Sequence, residues 1–258
     1  MNSPPNGNSA AMTILDGDPG AVDAGLTPLR VAKARAQEAA SERPLFTDPF
    51  SRLFVGAGGP GEADSHIANY VAARTKWFDD FFLAASSAGV SQVVILGSGL
   101  DARAWRLPWL GDTVIYDVEE PELLEFKQRV LTQSGAEPAA RRVPVPADVR
   151  DDWPRALTAA GFDADEPTVW AVEGLLPGLS ADLQEHLLDR IDLHSARGSR
   201  VGVETRAEGP DHFCWLCARS WEVTSTTTAD LLERYHRALP HHRDGHITRS
   251  VFLDGRKL

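Results

Sequence analysis

Residues 92–119 read QVVILGSGLDARAWRLPWLGDTVIYDVE, and the rest of the chain is organised around them. The stretch opens on the apolar run Val93-Val94-Ile95-Leu96. That run is short, β-branched and unbroken, as a strand buried on both faces should be. It ends in Gly97-Ser98-Gly99, where two glycines let the backbone turn sharply and let a ligand approach closely. The spacing predicts a helix over residues 100–107, its free N–H groups facing whatever sits above the glycines. A second apolar run, residues 113–118, ends in the acidic pair Glu119-Glu120. An acidic residue about 20 positions beyond a glycine turn is placed to hold the ribose hydroxyls of a nucleotide-type ligand.

Taken alone, Gly97-x-Gly99-x-x-Ala102 fits a dinucleotide fingerprint. It equally fits the glycine loop of a class I S-adenosylmethionine (SAM) methyltransferase, or a plain strand–turn–helix with no ligand. The segment upstream helps to separate these. Residues 62–88 place Ile67, Tyr70, Val71, Trp77, Phe78, Phe81 and Phe82 at helical period. Arg74 falls on the same apolar face. A guanidinium directed into a core needs an anion beside it. That anion is either a carboxylate of the chain, in a structural ion pair, or the carboxylate of a ligand held in the planar fork of the arginine. SAM carries such a carboxylate; a dinucleotide carries phosphates.

Downstream, Pro121 opens a helix with Leu123, Leu124, Phe126, Val130 and Leu131 as its apolar side. Residues 142–147 read as a third strand, placed at an edge by Pro144 and Pro146. It leads to Asp148-Val149, where Asp148 either faces the ligand side of the sheet or caps the next helix. Residues 168–176 predict a fourth strand with Glu173 in apolar surroundings, where a carboxylate is costly unless paired or used. Ser180 is an N-cap for the helix that follows, with Leu183, Leu187, Leu188 and Ile191 as its buried stripe. Residues 200–205 are a fifth strand, with Glu204 near its end. Residues 221–227 and 246–253 are two more, around a helix at 230–237, and close enough in sequence to lie antiparallel at one edge. Helices first, then strand–helix alternation, predict an α/β fold with a doubly wound, seven-stranded, mainly parallel sheet and an N-terminal helical extension. Residues 1–20, rich in Pro, Gly, Asn and Ser, are expected to be a disordered lead-in. Residues 21–258 are expected to form one domain, with helices over 21–90 and a Rossmann-like core over 91–258.

Composition narrows the function. The net charge of -11 argues against partners such as nucleic acid or an anionic membrane, which require a basic face. No apolar run reaches the ~18 residues of a membrane span. The N-terminus lacks the basic start and apolar core of a secretory signal. With two cysteines in the chain, these features place the protein in the cytoplasm with reduced thiols. Cys214 and Cys217 lack a second cysteine pair to complete a structural zinc set and read as small apolar residues on a short helix. His241, His242 and His246 read as part of a solvated loop, and Asp79-Asp80 and Asp151-Asp152 as helix-surface charges.

Six segments, in order and spacing, resemble the leucine carboxyl methyltransferase family, and within it the bacterial SAM-dependent O-methyltransferases. They are Asn69-Tyr70-Val71-Ala72-Ala73-Arg74-Thr75 with Trp77-Phe78-Asp79-Asp80-Phe81-Phe82; Leu96-Gly97-Ser98-Gly99-Leu100-Asp101-Ala102-Arg103; Tyr116-Asp117-Val118-Glu119-Glu120-Pro121; Asp148-Val149-Arg150-Asp151-Asp152-Trp153; and Val172-Glu173-Gly174-Leu175-Leu176. The resemblance implies a class I SAM methyltransferase fold, SAM as cofactor and a small-molecule methyl acceptor, with no metal. It implies Gly97, Gly99 and Asp101 at the methionine end of the cofactor and Arg74 on its carboxylate. Glu119 stands for the residue on the ribose, Asp148 and Val149 for the pair beside adenine. Glu173 stands for an acidic residue near the reacting end, contacting cofactor and available as a catalytic base for a hydroxyl acceptor.

Two departures stand out. The family carries a Tyr shortly after Glu-Gly-Leu-Leu, where this chain has Pro177-Gly178. It also has a long insertion before the Trp221-Glu222-Val223 strand, where this chain has only residues 206–220. The cofactor half is complete and the acceptor half is reduced. Three functions therefore stay open: O-methyl transfer to a carboxyl or hydroxyl group, SAM binding without turnover, and nicotinamide-dependent redox chemistry. The last lacks a Tyr-x-x-x-Lys pair and gives Arg74 no task.

Overall fold

The computed structural model describes residues 26–58, 65–238 and 249–258. The expected lead-in at 1–20 and the histidines at 241, 242 and 246 lie outside the described residues. The first described elements are helices: α1 (Pro28–Ala39), α2 (Ser51–Gly58) and α3 (Ser65–Ser87). They are followed by β1 (Gln92–Leu96), α4 (Arg103–Arg106), β2 (Val114–Glu119), α5 (Pro121–Gln133) and β3 (Arg141–Pro146). Next come α6 (Trp153–Ala159), β4 (Thr168–Val172), a 3-10 turn at Leu176–Gly178, α7 (Ala181–Leu193) and β5 (Arg200–Arg206). The chain ends with α8 (His212–Cys217), β6 (Trp221–Thr227), α9 (Thr228–Arg234) and β7 (Ser250–Lys257).

The sheet runs in the order β3-β2-β1-β4-β5-β7-β6. The pairings from β3 to β5 are parallel, and β7 is antiparallel to both β5 and β6. The α/β expectation is therefore met, including the prolines that leave β3 on an edge. Register places Leu96 beside Val118 on one side and Val172 on the other. The glycine turn, Glu119 and Glu173 thus emerge together at the carboxyl edge, where the strand order switches direction and α/β sheets bind ligands.

Alternate residues of the central strands face opposite layers. Val93, Ile95, Ile115 and Val169 pack with Leu29, Phe54, Phe78, Phe82, Phe126 and Leu131 from the helices of one face. Val94, Leu96, Tyr116 and Trp170 pack with Trp153, Leu157, Leu187 and Ile191 on the other. The aromatic face of α3 closes over the sheet through Trp77, which stacks on Phe81 at 5.7 Å and meets Phe252 of β7 at 5.3 Å.

Some local expectations are corrected. The helix expected at 100–107 shrinks to the four residues of α4. Asp101 Oδ1 accepts from the Arg103 N–H at 2.6 Å, and Leu107 is extended ahead of Pro108, so the first N–H groups are not all left for a ligand. The strand expected over 168–176 stops at Val172, because the chain turns at Glu173-Gly174, with Gly174 at φ +69°. Asp79 is not a surface charge: it is 3% exposed and bonded to Arg103 and Arg106. Asp148 does not cap α6, since its carboxylate is bonded to Arg150. Cys214 and Cys217 do lie on a short helix, but exposed.

Candidate functional site

A cavity of about 310 Å³ opens at the carboxyl edge. Every residue that the sequence singled out for cofactor or catalysis lines it: Arg74, Gly97, Gly99, Asp101, Glu119, Asp148, Val149 and Glu173. The elements explain the convergence. The turn after β1 supplies the glycine loop, the last residue of β2 is Glu119, and the turns after β3 and β4 supply Asp148-Val149 and Glu173. The long helix α3 brings Arg74 to the cavity.

At the glycine loop, Gly97 has φ +59°, a conformation that L side chains rarely adopt. A Cβ there would also stand 3.0 Å from Leu175 Cδ1. Gly99 donates its N–H to Glu119 Oε2 at 2.6 Å, and Glu120 donates to Glu119 Oε1 at 2.8 Å. Burial pushes the Glu119 carboxyl up, against these two backbone bonds and the charge of Lys127.

At the other end lies a cluster of buried charge. Glu173 meets Arg35 at 2.9 Å, Arg74 at 3.1 Å and Arg103 at 2.6 Å. Burial alone would raise its carboxyl, but the charges of Arg103, Arg35 and Arg74 overcome this and hold it well below the usual carboxylate range. A carboxylate so held is a poor proton acceptor near neutral pH.

The three arginines differ in engagement. Arg103 is fully buried, away from the cavity lining, and its contacts to Asp79, Asp101 and Glu173 are 2.7, 2.5 and 2.6 Å. Arg35 and Arg74 line the cavity. Arg74 is the loosest, with Glu173 at 3.1 Å and Glu204 at 3.4 Å, and its buried Nε lacks an aligned hydrogen-bond acceptor. Gly174 lets it lie there, because a Cβ on Gly174 would fall 3.1 Å from Arg74 Nη1.

Arg35 was missed in the sequence. It sits on an Ala-rich helix without flanking aromatics, although its place three and four residues after Ala32 and Val31, on the apolar side of that helix, was a usable signal. Glu204 was noted but its surroundings were not. It is 2% exposed, accepts from Tyr70 Oη and lies 3.4 Å from Ser250 Oγ. Burial pushes its carboxyl up to about 7. Among the described residues there is no cluster of three or more His, Cys, Asp or Glu that could hold a metal, and no helix long and apolar enough to cross a membrane.

The fold matches solved methyltransferases. One described as a "putative methyltransferase" from Thermobifida fusca YX superposes with TM-score 0.54 at 18% identity, over 93% of this chain and 97% of its own. Magnesium protoporphyrin IX methyltransferase from Synechocystis PCC 6803, solved with SAM, gives 0.51 at 10% identity over 89% and 97%. The sheet order and the cavity at its switch point are those of a class I SAM methyltransferase. Residues 28–192 match leucine carboxyl methyltransferase, and the chain belongs to that family of SAM-dependent enzymes. A Mycolicibacterium gilvum protein named "Putative S-adenosyl-L-methionine-dependent methyltransferase" is 56% identical over 252 residues, 96% of this chain and 100% of its own. One of the same name from Mycobacterium avium is 40% identical over 279 residues, 84% of this chain and 89% of its own. That second alignment is longer than the 258-residue chain, so the relative carries segments that this chain lacks. The M. gilvum protein aligns along its whole length without such an excess. Membership in this family sets aside the nicotinamide reading.

Proposed function

We propose that the protein transfers a methyl group from SAM to the oxygen of a small carboxylic acid. The observation that carries this is Glu173: the acid nearest the expected reacting end is locked by three guanidiniums and cannot serve as a base. Among the described cavity residues the other carboxylates are also engaged, Asp101 by Arg103, Asp148 and Glu120 by Arg150, and Glu119 by the backbone N–H groups of Gly99 and Glu120. A hydroxyl acceptor would need a general base, whereas a carboxylate is already ionised at neutral pH.

The cavity's donor set suits SAM. Arg35 and Arg74 offer guanidiniums with free hydrogen-bonding capacity for its carboxylate, and Glu119 a half-buried carboxylate for ribose hydroxyls. The turn at Gly97 and Gly99, with Asp101 beside it, brings backbone close to the methionine portion. Asp148 and Val149 flank the place for adenine. SAM supplies an activated methyl sulfonium when bound. The chain's task is then to align the acceptor with it and exclude water. In this reading Glu173 orders Arg35 and Arg74 and takes no proton.

The test is incubation with methyl-labelled SAM and a panel of carboxylic acids, phenols and alcohols. Label is expected in base-labile methyl esters. Transfer to hydroxyls alone would overturn the carboxylate reading. A second reading is SAM binding without turnover, favoured by the short connection between Arg206 and Trp221. It predicts SAM binding with no label in any acceptor.

A further inference from the structure

Lys127 is one of only a few lysines in the chain and is fully buried. It sits on α5 among Leu123, Leu124, Phe126, Val130 and Leu131, where an apolar side chain would pack without the several kcal/mol that desolvating an ammonium costs. Its Nζ donates to Asp117 Oδ1 at 2.9 Å and to Ser98 Oγ at 2.9 Å. Pairing Asp117 does not by itself explain the lysine, because Arg142 already meets that carboxylate, through Nε at 2.6 Å and Nη2 at 2.5 Å. What Lys127 adds is the contact to Ser98, the middle residue of the glycine loop. Ser98 lines the cavity and Lys127 does not.

The loop is therefore tied to the β2–α5 unit at successive points. Val118 O accepts from Ser98 N at 3.2 Å, Glu119 Oε2 accepts from Gly99 N at 2.6 Å, and Lys127, together with Asp117, holds the Ser98 hydroxyl. In the proposed function Glu119 must share its carboxylate with a ligand, which weakens the second tie. Lys127 is not among the residues that line the cavity, so its tie is not shared with a ligand there.

We propose that Lys127 is a positioning residue for the cofactor site, fixing Ser98 so that the Gly97-Ser98-Gly99 turn keeps its binding shape while Glu119 engages the ligand. The inference rests on the SAM reading of the site. It is distinct from a fold-stabilising ion pair, because its effect on binding runs through Ser98.

Calorimetric titration with SAM, well below the unfolding midpoint, tests it on the wild type, Ser98→Ala, Lys127→Met and the double variant. Ser98→Ala is expected to weaken SAM binding about tenfold, as for one charge-assisted hydrogen bond, with little change in midpoint. Lys127→Met is expected to weaken binding at least as much and to lower the midpoint. The double variant should bind no more weakly than Lys127→Met, since the two residues act through one contact. Wild-type affinity in Ser98→Ala, or losses that multiply in the double variant, would overturn the proposal. Ser98→Ala decides alone if Lys127→Met does not fold. A folded wild type that does not bind SAM would overturn the proposed function itself, in the same titration.

Discussion

Arg103 Nη1 lies 2.6 Å from Glu173 Oε2, so a single buried guanidinium ties the turn after β1 to the end of β4. The same nitrogen reaches Asp101 at 2.5 Å, and Nε reaches Asp79 at 2.7 Å. Removing it leaves three carboxylates in a buried region with less compensation. Breaking a buried pair of this kind typically costs about 3–5 kcal/mol. Arg103→Met should therefore lose that much stability in urea denaturation. A loss under about 1 kcal/mol would mean that water or Arg106 replaces it.

Arg74 contrasts with Arg103. Its contacts are longer and it borders the cavity, so its removal should show in binding more than in folding. Arg74→Ala should weaken SAM binding by ~1.5–3 kcal/mol, the range for a lost charged hydrogen bond. Titration calorimetry on the folded variant checks this. Unchanged affinity would assign Arg74 to structure alone.

Glu204 makes stability depend on pH. Its folded-state value is about 7, against an ordinary 4.5. Between these values the folded protein keeps a proton that the unfolded chain releases. Stability is therefore fully present below about pH 4.5 for this group, falls as pH rises and levels off above 7. The loss is roughly 3 kcal/mol at 1.36 kcal/mol per unit. Glu204→Gln cannot lose that proton, so its midpoint should drop less than that of the wild type between pH 5 and 8. Parallel curves for the two proteins would sink the assignment.

The succession of strands and helices and part of the cavity lining were legible because they follow from local signals. Glycines, a terminal acid and apolar runs each report on their own few residues. What the sequence concealed is pairwise. Asp79 beside Asp80 looks like surface charge until α3 is packed against α4, where Arg103 and Arg106 claim it. Arg35 lies 138 positions from Glu173, and no local pattern links them. Lys127 stood within a stripe read as apolar, since a helical period does not say which position on the buried face can hold an ammonium. Glu173 could be placed at the site from its neighbours. Its protonation could not, because it depends on three arginines from three separate segments.

Gly97 gives the sharpest test of the loop. At φ +59° an alanine pays roughly 1–2 kcal/mol for the left-handed conformation alone. Its Cβ would also press on Leu175 at 3.0 Å, so either the turn or Leu175 must shift. Both border the cavity. Gly97→Ala should thus lower SAM affinity by more than its loss of stability would suggest at temperatures where the variant is fully folded. Gly111→Ala is the control, because a Cβ there meets open space. It should change both stability and affinity by less than about 0.5 kcal/mol. Equal SAM affinity for Gly97→Ala and Gly111→Ala, titrated side by side, would remove the glycine loop from the binding surface.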